Sequence, residues 1–202
     1  VDTGFDDAAA ARRGRSVTTP VADALAAVGV DHAGVEDVVL THLHYDHAGN
    51  RDLFPAARFH LQDREMAYAT GRCMCHALLR APFEADDVAA MVHRVFEGRA
   101  AFHDGDEEIA PGVTVHLLGG HSKGLQVVRV ETARGPVVLA SDATHFYEHF
   151  EKGRAFPVVH DVEALLEGYR TLRRLAPTDA HVVPGHDPLV MALYPAPEPR
   201  LG

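Results

Sequence analysis

The stretch Thr41-His42-Leu43-His44-Tyr45-Asp46-His47 places four groups with metal-binding chemistry within six residues, directly after the apolar run Val38-Val39-Leu40. In an extended segment His42 and His44, two apart, point their imidazoles the same way. Asp46 and His47 follow once the chain bends, and can address a second position a few ångströms away. Nitrogen and oxygen donors in this mixture suit zinc or another first-row divalent ion. The alternative is a solvated histidine-rich loop. The acid set between the histidines and the strand feeding the run argue against it.

Four ligands cannot close a two-metal site, so further ones must come from elsewhere in the chain. His121 follows Leu118-Gly119-Gly120 after the run Val113–Leu118. Asp142 follows Val137-Val138-Leu139-Ala140-Ser141, and His186 follows Val182-Val183-Pro184-Gly185. Each is a metal-competent residue placed just after an apolar β-like run.

The rest of the composition is that of an ordinary globular domain, with 47% hydrophobic and 24% charged residues in 202. Fifteen histidines are the outlier. A net charge of −10 repels phosphate backbones, which argues against nucleic acid as a partner. No apolar stretch is long enough to span a membrane. Cys73 and Cys75 make a poor disulfide framework, so free thiols and a cytoplasmic setting are expected. The chain opens on Val1-Asp2-Thr3-Gly4 without an initiator methionine. The expectation is that segments precede Val1, a signal peptide among the candidates. The tail from Tyr194 to Pro199 is too proline-rich to pack.

Periodicity places a helix after Pro20 (Val21, Leu25, Val28), ended by Gly29. Strands are expected at Val38–Leu40, Arg58–Leu61, Val113–Leu118, Leu125–Val130, Pro136–Ala140 and His181–Val183. A helix is expected at Gln62–Ala69, further helical periodicity at 73–98 broken at Pro82, and a strong amphipathic helix at Val162–Leu175. Leu165, Leu166, Tyr169, Leu172 and Leu175 share one face of the last. Strands and helices mix throughout without repeats, which reads as an α/β class with 1–202 as a single domain.

The His-x-His-x-Asp-His run, followed by single His, Asp and His at strand ends and preceded by Asp2-Thr3-Gly4, resembles the metallo-β-lactamase superfamily over nearly the whole chain. The resemblance implies an αββα sandwich with a helical insertion at about 62–100 and metals at one edge of the two sheets. Carried over by position, His42, His44 and His121 hold one metal. Asp46, His47 and His186 hold the other, and Asp142 bridges them. Zinc is the first choice, with iron, manganese or cobalt as alternatives because first-row ions share these ligands. Two such cations roughly 3.5–4 Å apart lower the pKa of a bridging water towards ~7, so the site has hydroxide at neutral pH. Asp46 can orient that hydroxide or shuttle a proton. Acyl or ester hydrolysis follows without a serine or cysteine nucleophile.

Within the superfamily, the stretches 121–126, 141–145 and 184–188 resemble the quorum-quenching N-acyl homoserine lactonase branch, which also includes 4-pyridoxolactonase. Those lactonases usually place a tyrosine three residues after the bridging acid. This chain has His145 there, an imidazole able to make a similar hydrogen bond, with Tyr147 nearby. Phe146, Phe150 and Phe156 wall a pocket or serve the core. Met66, Met74 and Met91 are read mainly as core. His149 and His160 are read as solvent-facing or satisfied. Asp2 and Asp52 are candidates for orienting ligand imidazoles. The expected substrate is a small-molecule lactone, with a homodimer left open. Hydrolysis of another ester, thioester or β-lactam is the alternative, and an inactive metal-binding relative the third reading.

Overall fold

Valine-rich runs form the strands Asp37–Val39, Val113–Leu117, Gln126–Val130, Val137–Ser141 and Val182–Pro184. In the computed structural model, which describes residues 1–195, the first elements are α1 (Asp7–Arg12), α2 (Val21–Ala27) and β1 (Asp37–Val39). They are followed by α3 (Tyr45–Ala48), β2 (Arg58–Gln62), α4 (Asp63–Thr70), α5 (Ala77–Arg80) and α6 (Ala85–Phe96). The second half holds β3 (Ala100–His103), β4 (Glu107–Ala110), β5 (Val113–Leu117), β6 (Gln126–Val130) and β7 (Val137–Ser141), then α7 (Tyr147–Lys152), α8 (Val162–Leu175), β8 (Val182–Pro184) and α9 (Leu189–Leu193). The proline-rich tail beyond Pro195 lies outside the described residues. Among those described, no helix is long and apolar enough to cross a membrane.

The strands form two sheets. β1-β2-β3 are all parallel, and β4-β5-β6-β7-β8 are antiparallel except for the final parallel pair. Parallel neighbours need a crossover, and α4, α5 and α6 supply it between β2 and β3. Val39 of β1 packs with Val115 and Val128 of the second sheet, so the sheets meet face to face. On the outer face of the first sheet Phe59 and Leu61 pack with Tyr68, Val88 and Met91 of α4 and α6. On the outer face of the second, Val138 and Val182 pack with Leu165, Tyr169 and Leu172 of α8. The layers thus run α, β, β, α, as the family resemblance implies.

Some expectations need correction. Leu166 is 37% exposed although its neighbours on the α8 stripe are buried, and Val28 is 50% exposed beyond the end of α2. The strands Ala100–His103 and Glu107–Ala110 and the helices α1, α7 and α9 carry no clear period in the sequence. They are short, and tertiary contacts rather than local pattern hold them.

Candidate metal centre

Strand direction assembles the site. β5 is antiparallel to β6, β6 is antiparallel to β7, and β7 is parallel to β8. β5, β7 and β8 therefore run the same way, and the loops after them, with His121, Asp142 and His186, open at one edge. From the other sheet, the end of β1 delivers His42 and His44, and the single turn of α3 carries Asp46 and His47. Gly185 lets the last loop come close, because a Cβ there would sit 2.8 Å from the Ser141 carbonyl.

The seven residues come together. Ligand atoms of His42, His44 and His121 lie within 4.8 Å of one another, as do those of Asp46, His47 and His186. Asp142 joins His42 and His47 in a third such group and His121 and His145 in a fourth. Its Oδ2 lies 3.1 Å from His121 Nε2, and its Oδ1 2.9 Å from His186 Nε2 and 3.4 Å from His47 Nε2. His42 is fully buried and His47 nearly so, yet among the described residues the Nε2 atoms of both have no hydrogen-bond partner. A buried polar atom left unpaired costs about 1–3 kcal/mol, and a cation between these nitrogens offsets that cost. The donor set therefore fits a metal ion.

The electrostatics agree. Burial, then the charge on His47, holds His42 well below its usual pKa, and burial with His121 does the same for His44. Both keep neutral rings with free lone pairs, the form in which histidine binds metal. At Asp142 burial favours the protonated acid, but His47 and hydrogen bonds from His121, His145 and His186 outweigh it and hold the carboxyl well below the usual range. Burial opposes charge on His47, yet Asp142 and Asp2 raise it well above its usual value. The hydrogen bond to Asp142 likewise raises His186. The cluster recruits positive charge.

A supporting layer orients these rings. Asp2 accepts from the Thr41 amide (2.7 Å), from Thr41 Oγ1 (2.9 Å) and from His47 Nδ1 (2.8 Å). His47 Nε2 is thereby aimed into the cluster. Thr41 Oγ1 also lies 3.1 Å from His42 Nδ1. Asp52, by contrast, is a surface residue paired with Arg94 at 2.6 Å and orients no ligand.

A cleft of about 700 Å³ opens over the cluster. Leu79, Pro82, Pro157 and Val159 give it an apolar wall, while Tyr68, His160, Arg13 and Arg15 contribute polar groups. Burial pushes the Tyr68 hydroxyl up to about 12, so it stays a neutral donor. His145 reaches the cleft with Nε2 3.0 Å from Asp142 Oδ2 and its ring stacked 3.8 Å from Phe156. Tyr147 does not line the cleft, Phe150 is buried in the core, and Phe146 is half exposed. His149 lies against Phe146 and Phe156. Met91 is buried core, with Met66 and Met74 packed against the same cluster. Cys73 and Cys75 are free. Sequence reasoning missed Glu65, Tyr68, Arg13 and Arg15, since none carries a motif.

The model of the family described as "Metallo-beta-lactamase superfamily" matches residues 1–186. An N-acyl homoserine lactonase of Bacillus sp is 27% identical over 171 residues, covering 83% of this chain and 62% of its own length. N-acyl homoserine lactonase AttM of Azorhizobium caulinodans is 30% identical over 171 residues, covering 80% and 62%. The chain thus spans less than two thirds of the length of these relatives. The crystal structure of a quorum-quenching N-acyl homoserine lactone lactonase superimposes with a TM-score of 0.75 at 25% identity, covering 94% of this chain and 74% of that one. An N-acyl homoserine lactone hydrolase with N-hexanoyl-L-homoserine bound at its catalytic metal centre shares the fold, with a TM-score of 0.77 at 24% identity, covering 96% and 80%.

Proposed function

The chain belongs to the metallo-β-lactamase superfamily, and from that premise we propose that it is a metal-dependent hydrolase that opens a lactone ring of the N-acyl homoserine lactone type. The observation carrying this reading is the set of ligand groups at the base of the cleft, two histidine-rich triads with Asp142 reaching both. In it His42, His44 and His121 would hold one divalent ion and Asp46, His47 and His186 a second, with Asp142 placed to reach both. Zinc is the first choice of ion. When bound, a pair of divalent cations supplies hydroxide at neutral pH and polarises a carbonyl. The same reading takes 1–202 as one domain whose helical stretch at about 62–100 walls the cleft through Tyr68, Leu79 and Pro82.

The protein's own groups divide the remaining work. The apolar wall receives the acyl tail and excludes water from around the ring. Asp46, half-buried at the cleft, orients the attacking water and accepts its proton. His145 donates through Nε2 to Asp142, which leaves Nδ1 as an acceptor in the neutral ring. Burial keeps that ring neutral by lowering its pKa. It therefore positions Asp142 and accepts from substrate, where a tyrosine would donate. The donor to the ring oxygen falls to Tyr68 at the cleft. This difference favours a second reading, in which another ester or a thioester is cleaved by the same centre.

A panel of short- and long-chain acyl homoserine lactones, γ-lactones, 4-pyridoxolactone, a thioester and a β-lactam, assayed by proton release with metal-loaded protein, separates the two. Rapid opening of a lactone is the expected result. Turnover of the thioester with every lactone silent would replace the first reading by the second.

A further inference from the structure

Outside the ligand set, one fully buried carboxylate touches both loops that carry the first triad. Glu65 stands in the first turn of α4 and has no exposed surface. Its Oε1 accepts from the Leu43 amide at 3.0 Å, the peptide between His42 and His44. Its Oε2 accepts from Ser122 Oγ at 2.7 Å and from the Gly124 amide at 2.9 Å, on the loop that begins at His121. Gly124 fits because a Cβ there would come within 2.5 Å of the Glu65 Cα, a backbone atom that cannot yield. Three donors meet two oxygens. The second triad is supported differently: His47 is oriented by Asp2, and no hydrogen bond joins Glu65 to Asp46, His47 or His186 among the described residues.

We propose that Glu65 is a positioning residue that clamps the His42–His44 loop to the His121 loop and so sets the affinity of one metal position without setting that of the other. The proposal rests on the metal-centre reading above. The clamp works through geometry: His42 and His44 leave the end of the first sheet, His121 leaves the second, and no covalent link fixes their separation. A carboxylate accepting from both loops holds them at one distance. An amide in its place offers one oxygen and turns its NH₂ toward a donor, so one side of the clamp opens.

The test is a two-step metal titration of wild type, Glu65→Gln and Ser122→Ala with zinc against a chromophoric chelator, with the visible spectrum of the cobalt(II)-loaded forms alongside. Partners behind metal ligands typically contribute 10–100-fold to affinity. Glu65→Gln is expected to weaken one binding step by about that factor, to leave the other within a few-fold, and to alter one of two cobalt absorption components. Ser122→Ala keeps both backbone donors and is expected to shift the same step by less. Wild type binding two ions while both variants keep both affinities and an unchanged cobalt spectrum, whatever their melting temperatures, would overturn the clamp alone. Equal weakening of both steps would overturn its selectivity. Failure of wild type to take up metal would overturn the metal-centre reading and the clamp with it.

Discussion

Two groups of buried histidines lie in this fold, and they are built on opposite principles. At the sheet edge, His42, His44, His47 and His121 turn nitrogens toward one another and toward Asp142, and the Nε2 atoms of His42 and His47 are left bare. On β2 and β3 of the first sheet, His60 and His103 are equally buried, but every ring nitrogen has a partner. His60 Nε2 donates to Asp37 at 2.8 Å and His103 Nδ1 donates to Glu107 at 2.6 Å. The inner nitrogens are 3.0 Å apart, with ring planes within 5° and centroids at 5.2 Å, the spacing of two rings joined edge to edge. The pair with its two carboxylates closes its own hydrogen-bond set. Burial lowers the pKa of His60, with the hydrogen bond to Asp37 partly offsetting it. Bare converging nitrogens make a site, whereas satisfied nitrogens make a strut.

The largest expected effect belongs to Asp142, whose carboxylate reaches histidines of both groups. Asp142→Ala is expected to lower hydrolysis of the best panel substrate by about 10³-fold or more, the several kcal/mol a metal centre supplies. Metal analysis of the purified variant should show fewer than two ions per chain. Unchanged turnover would break the contrast at its first term.

Removing metal comes next. At metal concentrations about a thousandfold above Kd, ligation adds about 4 kcal/mol to the folded state. A chelator is thus expected to lower the melting temperature of wild type by many degrees, followed by calorimetry, and to do the same to His103→Gln.

The strut should show the reverse pattern. His103→Gln is expected to cost about 1–3 kcal/mol in urea unfolding, because a buried partner of His60 is removed. Metal content and turnover should stay at wild-type values. Loss of metal in this variant would mean that the two clusters are coupled.

A smaller effect concerns pH. His60 has a lowered pKa in the fold, so its contribution is fully present above the unfolded value of 6.5 and is lost as pH falls through the folded value. In metal-free protein, the stability advantage of wild type over His60→Gln should shrink as pH drops below 6.5. A constant advantage across that range would remove the charge argument while leaving the packing.

The smallest expected change is at His145. His145→Phe keeps the stacking on Phe156 but loses the bond to Asp142. Steady-state kinetics should show kcat down by about tenfold with metal content retained, the loss of one hydrogen bond to a charged group.

The residues that cluster at the sheet edge were legible because donors crowd into six residues after an apolar run, and the remaining three each follow a strand. Local chemistry and period were enough for that, and for α8 and the central strands. The short elements α1, α7, β3 and β4 were not legible, since stretches of four to six residues have no period to measure. Asp2 was legible as an orienting acid and Asp52 was not distinguishable from it, because residue type alone does not say which ring an acid meets. Only the structure sends one to His47 and the other to Arg94.

The sequence by itself therefore determined which residues can ligate metal, the α/β class and the family. The tertiary structure decided which histidines face which partner. His42 and His60 each sit in or just after an apolar strand of the same sheet, and nothing local separates them. His42 lies past the end of β1, at the edge where β5, β7 and β8 also end, whereas His60 lies within β2 and its ring meets His103 and Asp37. Glu65 is the same case. Its role comes from two loops more than seventy residues apart in sequence converging on one buried carboxylate, a relation that no local pattern encodes.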